Sequence, residues 1–572
     1  MAWYDEAIFY HIYPLGMTGA PKTNDYGQPV SRINSLIPWI KQIKKLGFNA
    51  LYIGPLFESV GHGYETTDYK KLDSRLGTND DLKNFVKECH DIGIKVVFDG
   101  VFNHTGRDFF AFKDIKQYRE NSWHKDWYCD VNFWGNNEYN DGFCYKNWGG
   151  YNLLVKLNQR NPAVINYILD VIDFWVKEFD VDGIRLDAAD VLDFDFMKAL
   201  RHKANVVKQD FWLMGEVIHG DYNRWANEGT LHSVTNYHLH KALYSGHNDH
   251  NYFEIAHTVK RLYDMGGGKL KLYNFVDNHD VERIYTKLKN KAHFVPTHIL
   301  LYTLPGIPSV YYGSEFGIEG KKERHSDDSL RPALDYDYYK DKFDANPCAQ
   351  LISALGKIRQ NTPALSYGSY KELMLSTRQY AFERRLNDVS VVVAVNNDDS
   401  DYVMTLPACN DTNYVGLLTG QVVEVVNGKI CVNVKANSGD VYVPRHTINQ
   451  DYTAQAKQQA KPVSIAEQPK QPEVVSMATP KQEQAQQAKP VSMVEQAQSV
   501  SIVESQPQQV QQEADMTEQT KNEIFEQGKI AGLQQAIISL MEKNGHVTEQ
   551  MKTDVYNNTH YGSLITWIKS FR

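Results

Sequence analysis

The sequence predicts an α/β fold: a (β/α)8 TIM barrel with an inserted domain after strand 3, followed by a C-terminal β-sandwich domain. Up to about residue 360, short β-rich apolar runs alternate with amphipathic helical stretches, a pattern typical of a parallel sheet. Between residues 366 and 446 the pattern changes to short alternating strands separated by Asn, Gly and Asp turns. With 572 residues, the chain is long enough for several domains.

Eight segments have the composition of barrel strands, and eight strand–helix units favour a closed barrel. They are Ile8–Tyr13, Ala50–Ile53, Lys95–Asp99, Gly183–Asp187, Phe211–Gly215, Val234–Tyr237, Leu270–Phe275 and Ser309–Tyr312. A simple barrel needs roughly 250 residues, so the surplus predicts insertions. We assign the barrel to residues 1–104 and 160–362.

The stretch before the fourth strand shows the helical pattern most clearly. Asn161 is suited to cap a helix, and Pro162 suits its first position. Apolar residues then recur at steps of three and four: Ile165, Ile168, Leu169, Ile172, Val176 and Phe179. The sequence therefore predicts an amphipathic helix that packs on the barrel.

The largest insertion, residues 105–159, follows the third strand. It is rich in Trp, Asn, Gly and Tyr, and it lacks helical periodicity. Long irregular insertions are usually functional, so we expect a small domain over the catalytic rim of the barrel, with an ordinary surface loop as the alternative. Its tryptophans, Trp123, Trp127, Trp134 and Trp148, are candidates for stacking on a ligand.

The C-terminal part divides into three segments. Residues 363–446 form the predicted β-sandwich domain. Residues 447–515 are dominated by Gln, Ala, Glu, Lys and Pro, with a weak repeat such as QQAKPVSIAEQ and QQAKPVSMVEQ, and we predict a disordered linker. Residues 516–572 form a predicted small helical tail for self-association or docking to a protein partner, or a dispensable extension.

Composition and charge exclude several classes of protein. The net charge of −9 is mild and spread out, which argues against a nucleic-acid partner. No run of about 18 apolar residues appears, so no membrane span is expected. The N-terminal segment lacks the basic start of a signal peptide, and the six scattered cysteines suit free thiols in a reducing compartment. A cytoplasmic protein is expected.

Four polar segments fall at the C-terminal ends of predicted barrel strands, where barrel enzymes place their active sites. They are Asp99–His104, Gly183–Asp190, Glu216 in Met-Gly-Glu-Val, and Phe275–Asp280. Taken singly, an Asp after a strand is usually a helix cap, and a lone His is more often a core group. Four such segments in order make that explanation improbable for the set.

The three carboxylates Asp187, Glu216 and Asp280 form the set that hydrolysis of a glycosidic bond requires. One carboxylate attacks the anomeric carbon, one carboxyl protonates the leaving oxygen, and a third group stabilises the distorted sugar ring. Arg185, two residues before Asp187 on one strand, points the same way and is expected to keep Asp187 ionised. An acid at Glu216 requires a raised pKa.

The four segments resemble the shared sequence regions of glycoside hydrolase family 13, the α-amylase family. The resemblance covers residues 5–446 and implies a retaining α-glycoside hydrolase. It implies that Asp187 is the nucleophile, Glu216 the acid/base and Asp280 the transition-state stabiliser. The substrate-binding residues that it implies are Tyr64, Asp68, His104, Arg185, His279 and Arg331.

Two short segments look like those of the neopullulanase and cyclomaltodextrinase group, namely Val155–Asn158 and Glu216–His219. The resemblance therefore implies action on maltodextrins through α-1,4 links, with α-1,6 links as an extension. Typical secreted amylases carry Lys-His three and four residues after the motif's second Asp, whereas here Ala189 and Asp190 end the stretch, so part of their substrate and calcium arrangement is missing. Asn103 matches a calcium ligand of the family, but it equally suits a turn, so calcium is possible and no cofactor is required.

Two alternatives stay open at this stage. A 4-α-glucanotransferase would use the same carboxylates, because either water or a sugar hydroxyl intercepts the covalent intermediate. A non-catalytic carbohydrate-binding scaffold would share the fold, although such proteins normally lose the nucleophile or the acid. The presence of all three carboxylates favours an enzyme acting on α-glucan oligosaccharides.

Overall fold

The computed structural model describes residues 2–324, 326–409 and 413–448. The helical tail predicted for residues 516–572 lies outside the described residues. So does the predicted linker, apart from residues 447 and 448. Within the described part, the predicted α/β barrel and the antiparallel C-terminal domain are both present.

The barrel consists of eight parallel strands. In chain order they are β1 (Phe9–Ile12), β2 (Ala50–Ile53), β3 (Lys95–Gly100), β4 (Gly183–Leu186), β5 (Trp212–Gly215), β6 (Ser233–Val234), β7 (Tyr273–Phe275) and β8 (Ile307–Tyr311). Neighbouring strands pair in the order β6-β5-β4-β3-β2-β1-β8-β7. A single parallel bridge between Thr235 and Tyr273 closes the cylinder between β6 and β7.

All eight predicted strands form, and the sixth and seventh are shorter than predicted. The sixth was expected to reach Tyr237 but ends at Val234. Its continuation turns because the Asn236 side chain accepts a hydrogen bond from Leu239 N, which caps the next helix. The seventh begins at Tyr273 instead of Leu270, because residues 270–272 have no strand pairing.

Eight long helices surround the barrel. They are Ile37–Lys45, Asn79–Asp91, Pro162–Phe179, Phe194–Val207, Tyr237–Asn248, Tyr252–Met265, Phe294–Thr303 and Pro347–Asn361. Asn161 caps the third of them through Ala163 N, as predicted. The buried face of this helix centres on Trp175, Val171 and Ile172, so the apolar stripe is rotated slightly from the predicted one.

The barrel interior is packed with large side chains. Phe9, Tyr52, Trp212, Met214 and Phe275 belong to one buried cluster contributed by the barrel strands. Such a core leaves no pore, so polar chemistry is confined to the C-terminal ends of the strands.

The inserted segment folds onto this rim. Its antiparallel strands His104–Thr105, Asn147–Trp148 and Tyr151–Lys156 form a three-stranded sheet. The segment also contains a helix, Phe110–Tyr118, which the absence of helical periodicity in residues 105–159 did not predict. Its nine residues bury only Ala111, Phe112 and Ile115, too few positions to register as a repeating pattern.

The C-terminal domain is an antiparallel, sandwich-like β-domain of eight strands. They are Ser369–Leu375, Gln379–Leu386, Val389–Asn396, Tyr402–Pro407, Asn413–Gly416, Val422–Val426, Lys429–Val434 and Ser438–Pro444. Met404, Leu406, Val432 and Tyr442 belong to its own core. Arg384 donates to Thr303 O at 2.7 Å, which fixes the domain to a barrel helix.

Two further features bear on the predictions from composition. None of the described helices combines the length and the apolar character that crossing a bilayer demands. All six cysteines are free thiols, with Cys89 and Cys348 buried.

Candidate active site

A buried ion pair forms the floor of the site. Arg185, on β4, lies beside Asp99, on β3, and its Nη1 donates to both carboxylate oxygens at 2.9 and 3.1 Å. Tyr52 also donates to Asp99 Oδ2, at 2.8 Å. Gly54 makes room for this arrangement, because a Cβ there would lie 2.3 Å from the Asp99 Cβ.

The same guanidinium connects two of the predicted catalytic carboxyl groups. Its Nη1 lies 3.0 Å from Asp187 Oδ1, and its Nη2 lies 2.8 Å from Glu216 Oε2. Asp187 directly follows β4 and Glu216 directly follows β5, so neighbouring strand ends bring them together. Of the two oxygens of Asp187, Oδ1 is the one that accepts a hydrogen bond from Arg185.

Glu216 is held from two further directions. Ala188 N donates to its Oε2 at 3.2 Å, and Tyr237 OH donates to its Oε1 at 3.1 Å. Ala188 adopts a left-handed conformation, with φ 45° and ψ 44°, which a residue with a side chain rarely adopts. This strained turn aims its amide at the carboxyl group.

Burial raises the pKa of Glu216 above its ordinary value, as an acid at neutral pH requires. Burial also raises the pKa of Asp187, and Arg185 opposes this without overcoming it. That Arg185 keeps Asp187 ionised stays a prediction: its charge lowers the pKa of Asp187, while burial, Glu216 and Asp99 raise it.

The third predicted carboxylate is held by other side chains than Arg185. Asp280 Oδ1 accepts from Arg331 Nη2 at 2.9 Å, and Asp280 Oδ2 lies 3.0 Å from His279 Nε2. The hydroxyl of Tyr64 contacts the same His279 nitrogen and donates to Asp99 Oδ2 at 3.2 Å. Arg331, His279 and Tyr64 therefore connect Asp280 to the floor of the site.

His104 borders the cleft below the inserted segment. Burial and the neighbouring Lys156 charge lower its pKa to about 3, so its ring is neutral at physiological pH. Its Nε2 has no partner within the described part of the protein. Trp148 lies over the ring with 6.0 Å between centroids, and it remains 38% exposed.

Asp68 is a predicted binding residue that the structure does not bring to this cluster. It is exposed on the strand Thr66–Leu72, and its Oδ1 accepts from the Lys70 backbone at 2.8 Å. Three residues separate it from Tyr64, which precedes the strand that contains Asp68.

The surroundings of Asn103 do not fit a calcium ion. Its Oδ1 already accepts a hydrogen bond from the Lys156 ammonium. Throughout the described ranges, no group of three or more His, Cys, Asp and Glu side chains is arranged to hold a metal. Calcium takes six to eight oxygen ligands. The Lys156 ammonium already binds Asn103 Oδ1, the one ligand oxygen that the family resemblance implies.

Several residues of the site were not among those predicted. Asp99 and Asn278 stood inside the quoted strand-end segments, and their position was the signal that could have identified them. Tyr237 and Tyr52 gave no such signal, because both were assigned to predicted strands, Val234–Tyr237 and Ala50–Ile53. Asn278 Nδ2 donates to Tyr237 OH at 3.3 Å, so these two residues act together beside Glu216.

Comparison with known proteins agrees with this geometry. Residues 27–357 match the family model described as the alpha amylase catalytic domain. A cyclomaltodextrinase from Thermoanaerobacter pseudethanolicus is 31% identical over 427 residues, which cover 71% of this chain and 72% of that protein. Neopullulanase 2 from Thermoactinomyces vulgaris is 28% identical, with coverages of 76% and 77%.

Solved structures show the same likeness. A cyclomaltodextrinase structure superposes with a TM-score of 0.67 at 25% identity, over 77% of this chain and 78% of that one. An Anoxybacillus α-amylase superposes with a TM-score of 0.64 at 25% identity, over 78% of this chain and 99% of that one. The strand ends that carry Asp187, Glu216 and Asp280 lie inside the matched catalytic domain, and the chain belongs to the alpha-amylase family.

Proposed function

We propose that this protein is a retaining α-glycoside hydrolase that cleaves α-1,4 glucosidic bonds of maltodextrins, and α-1,6 bonds in addition. Asp187 is the nucleophile, Glu216 the acid/base and Asp280 the transition-state stabiliser. The observation that carries the proposal is the Arg185 guanidinium, which binds Asp187 and Glu216 at 3.0 and 2.8 Å.

Each step follows from the atoms at the site. Asp187 Oδ2 forms a bond with the anomeric carbon, while the bond from that carbon to the leaving oxygen breaks. Glu216 gives its proton to the leaving oxygen. Water then loses a proton to Glu216 and displaces Asp187, which restores both groups.

Retention of configuration is supported by how close the two carboxyl groups are held. Retaining enzymes separate them by about 5–5.5 Å, whereas inverting enzymes need about 6.5–9.5 Å to admit a water molecule. Here both groups bind adjacent nitrogens of one guanidinium. That sharing favours direct attack by Asp187 over attack by water.

The remaining polar groups suit a neutral sugar. His104 and His279 have lowered pKa values, chiefly through burial, and both rings are uncharged at neutral pH. Tyr64 presents a ring nearly parallel to that of His279, at an interplanar angle of 12°. Uncharged hydrogen-bonding groups and a flat aromatic face are what hydroxyl-rich rings require.

The choice of maltodextrins rests on the relatives. Proteins named cyclomaltodextrinase, neopullulanase and maltogenic alpha-amylase are among those similar to this chain. These names support short or cyclic α-glucans as the substrate class.

A time course on maltotriose, pullulan, γ-cyclodextrin and soluble starch, read by chromatography with anomeric detection, tests the proposal. We expect α-configured short sugars, released faster from the small substrates than from starch. Release of β-configured sugars would exclude retention. No cleavage of any of the four would exclude the substrate class.

A variant pair assigns the chemistry to Asp187. Asp187→Asn keeps the shape of the side chain but removes the nucleophile, and kcat should fall by about 10³-fold or more. Asp195→Asn, at an exposed position of the helix Phe194–Val207, is the matched control and should keep wild-type kcat. Longer oligomers at high maltotriose would identify a 4-α-glucanotransferase instead.

A further inference from the structure

The side chain of Lys156 binds neutral oxygens instead of an acid. Its Nζ donates to Asn103 Oδ1 and, at 3.1 Å, to the carbonyl oxygen of Val191. Among the described ion pairs no carboxylate lies within 4.0 Å of this ammonium, whereas lysines such as Lys203 and Lys95 pair directly with aspartates. Holding a partly buried charge with only an amide oxygen and a carbonyl oxygen costs free energy. The position of this ammonium is therefore expected to serve a purpose.

The two oxygens belong to different parts of the fold. Lys156 ends the strand Tyr151–Lys156 of the inserted segment. Asn103 follows β3, and Val191 ends the short 3-10 helix Ala189–Val191 that follows β4 and Asp187. One ammonium therefore joins the inserted segment to the ends of two neighbouring barrel strands.

The contact with Val191 leads to the acid/base. Val191 N donates to Ala188 O at 3.1 Å, which closes the turn that Lys156 holds from outside. Ala188 N, in the same turn, donates to Glu216 Oε2 at 3.2 Å. Because Ala188 is left-handed, the turn needs such an external hold to keep its amide aimed at Glu216.

The position of Lys156 also bears on metal dependence. Asn103 Oδ1 and Val191 O form a pair of oxygens between the inserted segment and the barrel, and a cationic side chain of the protein already occupies the space between them. The connection therefore needs no metal ion, which agrees with the poor fit of calcium to Asn103.

We propose that Lys156 is a positioning residue: its ammonium joins the inserted segment to the Ala188–Val191 turn in place of a metal ion, and thereby orients Glu216. The effect on turnover rests on the proposed function. The structural part, a metal-free connection that keeps the inserted segment attached, does not.

The test compares Lys156→Met, which keeps length and removes charge, with Lys156→Arg and with Lys146→Met, an exposed lysine of the same segment. On maltotriose, kcat of Lys156→Met should fall about 10- to 100-fold, as expected for a small misplacement of a catalytic group, with KM little changed. The basic limb of its pH profile should move to higher pH, since Glu216 loses its amide donor. Lys156→Arg should recover part of kcat, and Lys146→Met should match wild type.

A second measurement needs no activity. Wild-type protein should keep its thermal midpoint in excess chelator and with added calcium, and Lys156→Met should be cleaved by thermolysin within residues 140–160 faster than Lys146→Met. A wild-type kcat and pH profile in folded Lys156→Met would overturn the proposal. So would a wild-type midpoint that falls with chelator and recovers with calcium. If wild type cleaves no maltodextrin, only the proposed function fails, and the proteolysis comparison still decides the connection.

Discussion

Asp99 accepts two hydrogen bonds from a single nitrogen of Arg185, at 2.9 and 3.1 Å, in a pair from which solvent is excluded. The negative charge of Asp99 raises the pKa of Glu216, after burial and Asp280, while the positive charge of Arg185 lowers it. The two charges of this pair therefore act in opposite directions on the pKa of Glu216, the proposed acid/base.

Replacing Asp99 by Asn should lower both stability and the upper pH limit of activity. Breaking a buried pair leaves an uncompensated charge and costs about 3–5 kcal/mol, measurable by urea unfolding. Loss of the Asp99 charge lowers the pKa of Glu216, so the basic limb of kcat/KM should move to lower pH. Asp170→Asn removes a solvent-exposed partner of Lys70 and should cost less than about 1 kcal/mol.

Replacing Tyr237 by Phe should move the basic limb of kcat/KM to higher pH, opposite to the effect of replacing Asp99. The hydroxyl donates to Glu216 Oε1 at 3.1 Å and stabilises the ionised form. Without it the pKa of Glu216 rises and the protonated acid persists to higher pH. The measurement is kcat/KM against pH, with the exposed Tyr338→Phe as control. Unchanged limbs in both Tyr237→Phe and Asp99→Asn would contradict the assignment of Glu216 as the acid.

Replacing Trp148 by Ala should weaken substrate binding more than turnover. The ring covers His104 at 6.0 Å and stays partly exposed at the cleft, where a sugar can stack on it. Stacking worth about 0.5–1.5 kcal/mol corresponds to a rise in KM of about 2- to 10-fold. Trp134, which is 98% exposed elsewhere in the inserted segment, provides the control. Equal KM values for the two variants would remove Trp148 from the binding site.

Replacing Glu315 by Gln should make stability less dependent on pH. Burial raises the pKa of Glu315 to about 7, and its carboxyl group is bonded to Tyr10 OH at 2.5 Å and Gly313 N at 2.8 Å. The folded state favours the protonated form, so its stabilising effect is complete below about pH 4.3 and is lost as pH rises through about 7.

Wild-type unfolding free energy should consequently fall relative to Glu315→Gln by about 3 kcal/mol between pH 5 and 8. Denaturant unfolding at a series of pH values measures this difference. Glu424→Gln, at an exposed position, should follow the wild-type curve. Parallel curves for wild type and Glu315→Gln would show that Glu315 does not titrate in this range.

The sequence predicted the barrel well because strand and helix periods alternate over a long stretch. It also predicted which strand ends meet, so Asp187, Glu216 and Asp280 were placed on one rim from their order alone. The predicted length of the sixth strand was wrong. Asn236 caps the following helix, so the chain leaves the strand although its composition is β-rich up to Tyr237.

Side-chain partners were harder to predict than backbone positions. The contacts of Lys156 with Asn103 and Val191 join residues 53 and 35 positions apart, and no local pattern encodes them. Asp68 shares a motif with Tyr64, but Asp68 is exposed whereas Tyr64 is buried. The role of the helical tail, self-association or docking, stays a prediction that sizing of the full chain against one ending at residue 447 would test.

The single bridge between Thr235 and Tyr273 has a consequence for heat resistance. Amide side chains supplement it, since Asn236 Nδ2 donates to Asn274 Oδ1 at 2.8 Å. This seam between β6 and β7 contains few backbone hydrogen bonds. Tyr237, two residues after Thr235, donates a hydrogen bond to Glu216. On warming, the barrel should open first at this seam, so catalysis should fail at temperatures where the circular dichroism of the remaining strands and helices is still native.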